Sequence, residues 1–174
     1  MSHRPDPRHF QTLLREHEGI VFKVVNLYAH HAEDRRDLAQ EIGLQAWRSF
    51  AHFDSLKAKF STWLYRVALN VAISQLRKTN GVRGAQLEPL EQHHLESIGA
   101  EPAPEPDERI ATLYAFIGQL DPLNRALILL YLEDKPYGEI AEILGITETN
   151  VATKISRIKQ TLRGQMTGTA IAGA

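Results

Sequence analysis

Five residues between positions 63 and 77 carry the first chemistry worth weighing. Trp63, Arg66, Asn70, Ser74 and Arg77 are spaced three or four apart, so one side of a helix would carry an indole, two guanidinium groups, an amide and a hydroxyl. Just before them, the segment Phe53–Phe60 brings Lys57 and Lys59. Aromatic surface beside cations is how single-stranded nucleic acid is held: bases stack on rings at about 1–3 kcal/mol each, and the cations follow the phosphates. The same residues also fit a plainer account, with Trp63 half-buried in a core and the others on an ordinary wetted face. A second set lies at Asn150, Thr153, Lys154, Ser156, Arg157 and Gln160. Each can bond to base edges or phosphates if their helix lies in a major groove.

Charge is distributed to match. Residues 1–80 carry 12 Lys and Arg against 8 Asp and Glu, residues 81–106 carry 1 against 5, and no acid follows Glu148. Two basic ends flanking an acidic middle suit a polyanion held in two places, although solvated faces would give the same counts. Catalysis finds little footing. The pairs His30-His31 and His93-His94 are adjacent and lack metal-ligand spacing. There is no glycine-rich phosphate loop, nucleophile elbow or paired-carboxylate site. No cofactor or metal is therefore expected. The chain has no cysteine, which excludes disulfides and favours a cytoplasmic home. No apolar run nears the roughly 20 residues of a membrane span, and MSHRPDPRHF has no apolar core suited to secretion.

The elements that must position these residues are helical, with no β-alternation anywhere. The expected fold is all-α, with two small helical domains joined by a flexible acidic linker. The expected divisions are 1–78, a linker over 79–106 rich in Gly, Pro and Glu, a second domain over 107–163, and a disordered tail over 164–174. In the first domain, Phe10–His30 predicts one amphipathic helix. A second is expected from an N-cap at Asp34, burying Ala39, Ile42, Ala46 and Phe50. Its opposite stripe is Asp37, Glu41, Leu44 and Arg48, with Gln40 alongside; an apolar Leu44 among charges suits a contact surface. A third helix, Ser61–Lys78, is expected to bury Leu64, Val67, Ala68, Val71 and Leu76.

In the second domain, Asp121-Pro122 predicts a capped helix start with proline at the first position, running to Leu132. A short helix follows Pro136, with Ile140, Ala141, Ile143 and Leu144 apolar. Gly145 stands where a left-handed residue ends a helix. Thr147 caps the next helix, Glu148 opens it, and Val151, Ile155, Ile158 and Leu162 form its buried row. Ala141, Gly145 and Val151 have the spacing of a helix-turn-helix, whose second helix enters the major groove.

Taken together, these residues resemble the extracytoplasmic-function sigma factors, a branch of the sigma-70 family reduced to two helical domains. The likeness covers about Phe10–Lys78 and Asp107–Arg163. It is carried by EDRRDLAQEIGLQAWRSFAHFD, KFSTWLYRVALNVAISQLRK and LDPLNRALILLYLEDKPYGEIAEILGITETNVATKISRIKQTLR, in that order. The resemblance implies a non-enzymatic subunit that brings core RNA polymerase to promoter DNA. By that resemblance, Asp37, Gln40, Glu41, Leu44 and Arg48 dock on the polymerase clamp helices. Lys57, Lys59, Phe60, Trp63, Arg66 and Asn70 face the −10 element, with Asn70 near a pocket for an extruded base and Phe60 and Trp63 giving aromatic surface. Asn150, Thr153, Lys154, Ser156 and Arg157 face the −35 duplex. Ala152 departs from the family, which often has a basic residue there; it either weakens phosphate affinity or meets a thymine methyl. The linker resembles the segment that threads toward the polymerase cleft. An anti-sigma factor is expected as a partner, covering the docking stripe, the DNA-facing stripe or both. The rival reading is a conventional helix-turn-helix regulator that acts on palindromic DNA without core polymerase; a protein-binding adaptor is a third.

Overall fold

The computed structural model describes residues 4–83 and 108–172, apart from the side chains at 80–83, 110, 111 and 168–172. Every element among the described residues is helical. The chain divides into two compact units, Met1–Ala85 and Gln86–Ala174. The acidic segment expected as a linker lies, after its first few residues, outside the described part of the chain.

In the N-terminal unit, α1 (Pro7–Glu16), α2 (Glu18–Tyr28), α3 (Ala32–Phe50) and α4 (Phe60–Arg83) pack so that α4 lies against both α2 and α3. The single helix expected over Phe10–His30 is two. The first starts early because Asp6 and Pro7 form a cap, with Arg8 N–H donating to Asp6 Oδ1 at 3.0 Å. It ends at His17, whose backbone leaves helical geometry (φ −116°, ψ 17°) and whose ring places Nδ1 2.8 Å from the Leu13 carbonyl oxygen. That side chain folds back on the last turn of α1 instead of continuing the pattern.

Helix α3 begins at Ala32, two residues before the expected cap. Glu33 and Asp34 sit in its first turn, where carboxylates favour the positive end of the helix. Its start is fixed from elsewhere: Arg35 donates to the carbonyls of Ala29 (3.1 Å) and His30 (2.9 Å) and closes the turn after α2. Leu38, Ile42 and Ala46 are buried, while Ala39 and Phe50 are only half-buried. In α4 the buried row is Leu64, Tyr65, Ala68, Leu69 and Ala72; Val67, Val71 and Leu76 lie at its margins. Packing against two helices at once widens and turns the apolar face from the narrow stripe expected.

The C-terminal unit contains α5 (Glu108–Gln119), α6 (Pro122–Leu132), α7 (Tyr137–Leu144) and α8 (Glu148–Ala172). Asp121 caps α6 doubly, accepting from Asn124 N–H and from Asn124 Nδ2, both at 2.9 Å. Arg125, 2% exposed, donates to the carbonyls of Leu120 (3.3 Å) and Gly118 (3.1 Å) and so satisfies the end of α5. Helix α8 continues past Arg163 to Ala172, where a disordered tail is expected from the small uncharged residues. Gly164 and Gly168 weaken the helix without stopping it: the stretch has no proline, and Thr167 Oγ1 donates back to the Arg163 carbonyl at 2.8 Å.

Candidate nucleic-acid interface

The turn between α7 and α8 is built by single residues. Gly145 takes the left-handed conformation (φ 68°, ψ 34°), and its N–H and that of Ile146 donate to the Ala141 carbonyl at 2.9 and 3.1 Å. Thr147 Oγ1 then accepts from Asn150 N–H at 3.1 Å and caps α8. Val151, Ile155 and Ile158 are buried against the preceding helices. The opposite side is left to solvent: Asn150, Thr153, Ser156, Arg157 and Gln160 are exposed, and Lys154 is half-buried at the edge of the row. This is the second helix of a helix-turn-helix, with its polar edge uncovered.

Thr153 is restricted within that row. Its hydroxyl donates to the Thr149 carbonyl at 2.9 Å, so toward a base it has lone pairs and a methyl group to offer, not a proton. Beside the row an open cleft of about 200 Å³ is lined by Tyr137, Ala152, Ser156, Lys159, Gln160 and Arg163, among others. Lys159 Nζ lies 4.5 Å from the centre of the Tyr131 ring, which steadies its charge at the cleft. The positions of Tyr137 and Tyr131 here depend on how α6 and α7 cross α8, so the spacing of α8 alone does not reveal them.

In the N-terminal unit the stripe on α3 expected to dock is open to solvent. Asp37, Gln40 and Arg48 are exposed, and Leu44 is 43% exposed. Glu41 is half-buried and accepts from Gln45 Nε2 at 3.3 Å, which fixes its carboxylate along the helix. On the loop and α4, Lys57, Lys59, Arg66 and Asn70 are exposed, and Ser74 and Arg77 continue the row.

The aromatics differ from expectation. Phe60 is 8% exposed and belongs to the interior. Its ring centre lies 5.0 Å from His17, 5.6 Å from Phe53 and 5.3 Å from Trp63. Phe60 therefore supports the site from beneath and offers no surface to a base. Trp63 is half-buried, 5.2 Å from Phe53 and 6.1 Å from Phe50, with one side left at the surface. Rings from α1, α3, the loop and α4 form one cluster through Phe10, Trp47 and Phe50, and this long-range assembly is invisible to periodicity.

Among the described residues no group of three or more His, Cys, Asp and Glu could hold a metal ion; His93 and His94 lie outside them. No helix among these residues is long and apolar enough to cross a membrane.

A helix-turn-helix in one unit and a cation-lined helix in the other agree with the comparisons with known proteins. Residues 13–81 match the family described as Sigma-70 region 2, and residues 110–162 match Sigma-70, region 4. The chain belongs to the sigma-70 family, in its extracytoplasmic-function (ECF) branch. It is 34% identical to the ECF RNA polymerase sigma factor SigW of Bacillus subtilis, over 90% of this chain and 88% of that one. It is 30% identical to the RNA polymerase sigma-H factor of Pseudomonas aeruginosa, over 91% and 86%. The fold is shared with the sigma factor RpoE of Bartonella quintana, solved with the anti-sigma factor NepR, at a TM-score of 0.68, 20% identity and coverage of 90% and 95%. As an ECF sigma factor the protein is a non-enzymatic initiation factor: it directs core RNA polymerase to particular promoters.

Proposed function

We propose that the sigma factor divides its work among three exposed surfaces. Asp37, Gln40, Glu41, Leu44 and Arg48 on α3 dock on core polymerase, with Leu44 as the apolar contact inside a polar rim. Lys57, Lys59, Arg66 and Asn70, with the outer side of Trp63, hold the −10 element as it opens; Phe60 contributes by packing under Trp63. Asn150, Thr153, Lys154, Ser156 and Arg157 read the −35 duplex. Lys159 and Arg163, beside the cleft, take backbone phosphate. An anti-sigma factor covers the Leu44 stripe or a DNA-facing row, and the whole cycle runs in the cytoplasm beside the chromosome.

The observation that carries this reading is the exposure of each polar row above its own buried apolar row, on α3, α4 and α8 alike. The test is run-off transcription with sequencing on fragmented genomic DNA, using cognate core polymerase with and without this protein. Protein-dependent starts, each preceded by two spaced and unlike elements, are expected. Recognition of a palindrome without core enzyme would overturn the division of labour.

A further inference from the structure

Leu56 stands apart from every other large apolar side chain among the described residues. It is 94% exposed, where the next, Leu132, is 53% exposed. A singly exposed leucine is ordinary; a leucine held out by a braced turn is a different matter. Asp54 Oδ1 accepts from Leu56 N–H at 2.9 Å, and the Asp54 carbonyl accepts from Lys57 N–H at 3.1 Å and Ala58 N–H at 3.2 Å. These three bonds to one residue fix the loop tip. The base of the loop is anchored by Phe53 and Phe60, whose ring centres are 5.6 Å apart in an edge-to-face contact. The tip thus presents an apolar side chain on a firm mount, followed by the exposed Lys57 and Lys59 and by the row that begins at Trp63.

We propose that Leu56 is a wedge, inserted into a base step of the −10 element as the duplex opens. Separating stacked bases costs free energy, and an apolar side chain pushed between them returns part of it; leucine is among the residues used in this way. Lys57 and Lys59 would hold the backbone on either side and set the depth of insertion. Leu56 would act on the rate and extent of strand separation, and Asn70 on the base captured afterwards. The inference rests on assigning this loop and α4 to the −10 element.

The experiment uses holoenzyme assembled from core polymerase and the full chain. The DNA is a promoter fragment recovered from protein-dependent start sites, and the same fragment with its −10 segment mismatched so that it is already unpaired. Opening is followed by permanganate reactivity of thymines and by its rate. Leu56→Ser is expected to assemble normally yet open the paired fragment about tenfold more slowly. Its loss on the mismatched fragment should stay within about twofold, and Leu56→Phe should open the duplex as the parent does. Equal losses on the two fragments, a Leu56→Phe as slow as Leu56→Ser, or failure of Leu56→Ser to assemble would each overturn the wedge. So would normal opening by Leu56→Ser while Asn70→Ala is defective, and in that case the −10 assignment stands without a wedge. Normal opening by both variants removes the −10 assignment itself.

Discussion

The two units hold the residues proposed to meet DNA on different foundations. In the C-terminal unit the row from Asn150 to Gln160 rides on an aliphatic spine of Val151, Ile155 and Ile158. In the N-terminal unit the row from Trp63 to Arg77 starts on a cluster of rings that includes Phe50, Phe53 and Phe60. Duplex DNA offers base edges in a groove, and a rigid polar helix edge suffices to read them. An opening strand offers base faces, which need apolar and aromatic surface with cations beside it. Under the proposed division of labour, the difference in foundation follows the difference in the form of DNA each unit would meet. The units also share a device at different depths. Arg35 and Arg125 each clasp two backbone carbonyls at a helix–helix turn, but Arg125 is buried and Arg35 is half-exposed.

The largest expected effect separates docking from DNA contact. Asp37→Arg combined with Glu41→Arg reverses two charges on the α3 stripe and should weaken core association at least about a hundredfold. Anisotropy of the labelled full chain titrated with core enzyme measures this, with thermal melting unchanged because neither side chain is in the core. Retained association would move docking away from α3 and leave its polar row without a purpose.

Next in size is the arginine pair. Arg125→Met strands two carbonyls in a buried setting and should cost about 2–3 kcal/mol of stability; Arg35→Met, where water can substitute, should cost about 1 kcal/mol. Denaturant unfolding of the two variants, followed against the parent chain, reads the difference. Equal losses would show that burial depth does not set the strength of the clasp.

What was legible in the sequence tracks whether the governing interaction is local. The boundaries around the helix-turn-helix could be read because each is decided by one or two residues: Asp121 with Pro122, Gly145 with its positive φ, Thr147 with Glu148; the far end of α8 has no such signal and runs on to Ala172. The break at His17 carries no sequence signal, because histidine has no strong preference at a helix end and its bond to Leu13 is a choice made by the fold. The family resemblance places Phe60 at the surface, and the sequence pattern cannot correct it because the rings that enclose it come from residues as distant as His17 and Phe50. The clasps of Arg35 and Arg125 have no sequence signature, since a side chain that bonds carbonyls leaves no partner to find in the sequence. The row on α3 was visible from its spacing, but the polymerase as its partner came from family resemblance and not from the residues.

A smaller effect tests α8 as the proposed reader of duplex DNA. Arg157→Ala should cost about 1–3 kcal/mol in binding, concentrated at one base-pair position of the −35 element. Holoenzyme binding to a set of single-base promoter variants would map it. A uniform loss on all of them would make Arg157 a phosphate contact, and the contrast between a base-reading α8 and a strand-holding α4 would soften.

The smallest effects concern two glycines at the helix-turn-helix. A methyl group added at Gly145 would have no atom within 4 Å, so Gly145→Ala has only its backbone to pay for, at φ 68°. The cost should be about 1 kcal/mol, with Gly145→Asn closer to the parent because asparagine tolerates the left-handed region. At Gly138 the position is reversed: backbone is unstrained, but a methyl group would stand 2.6 Å from Glu148 Oε1. That oxygen ends a flexible side chain on the surface and can swing away, and alanine favours the helix by up to about 1 kcal/mol. Gly138→Ala should therefore be close to neutral in thermal melting while Gly145→Ala is destabilised. If Gly138→Ala is the more damaging, Glu148 is held in place, and the α7–α8 turn is fixed by that side chain as much as by the left-handed residue.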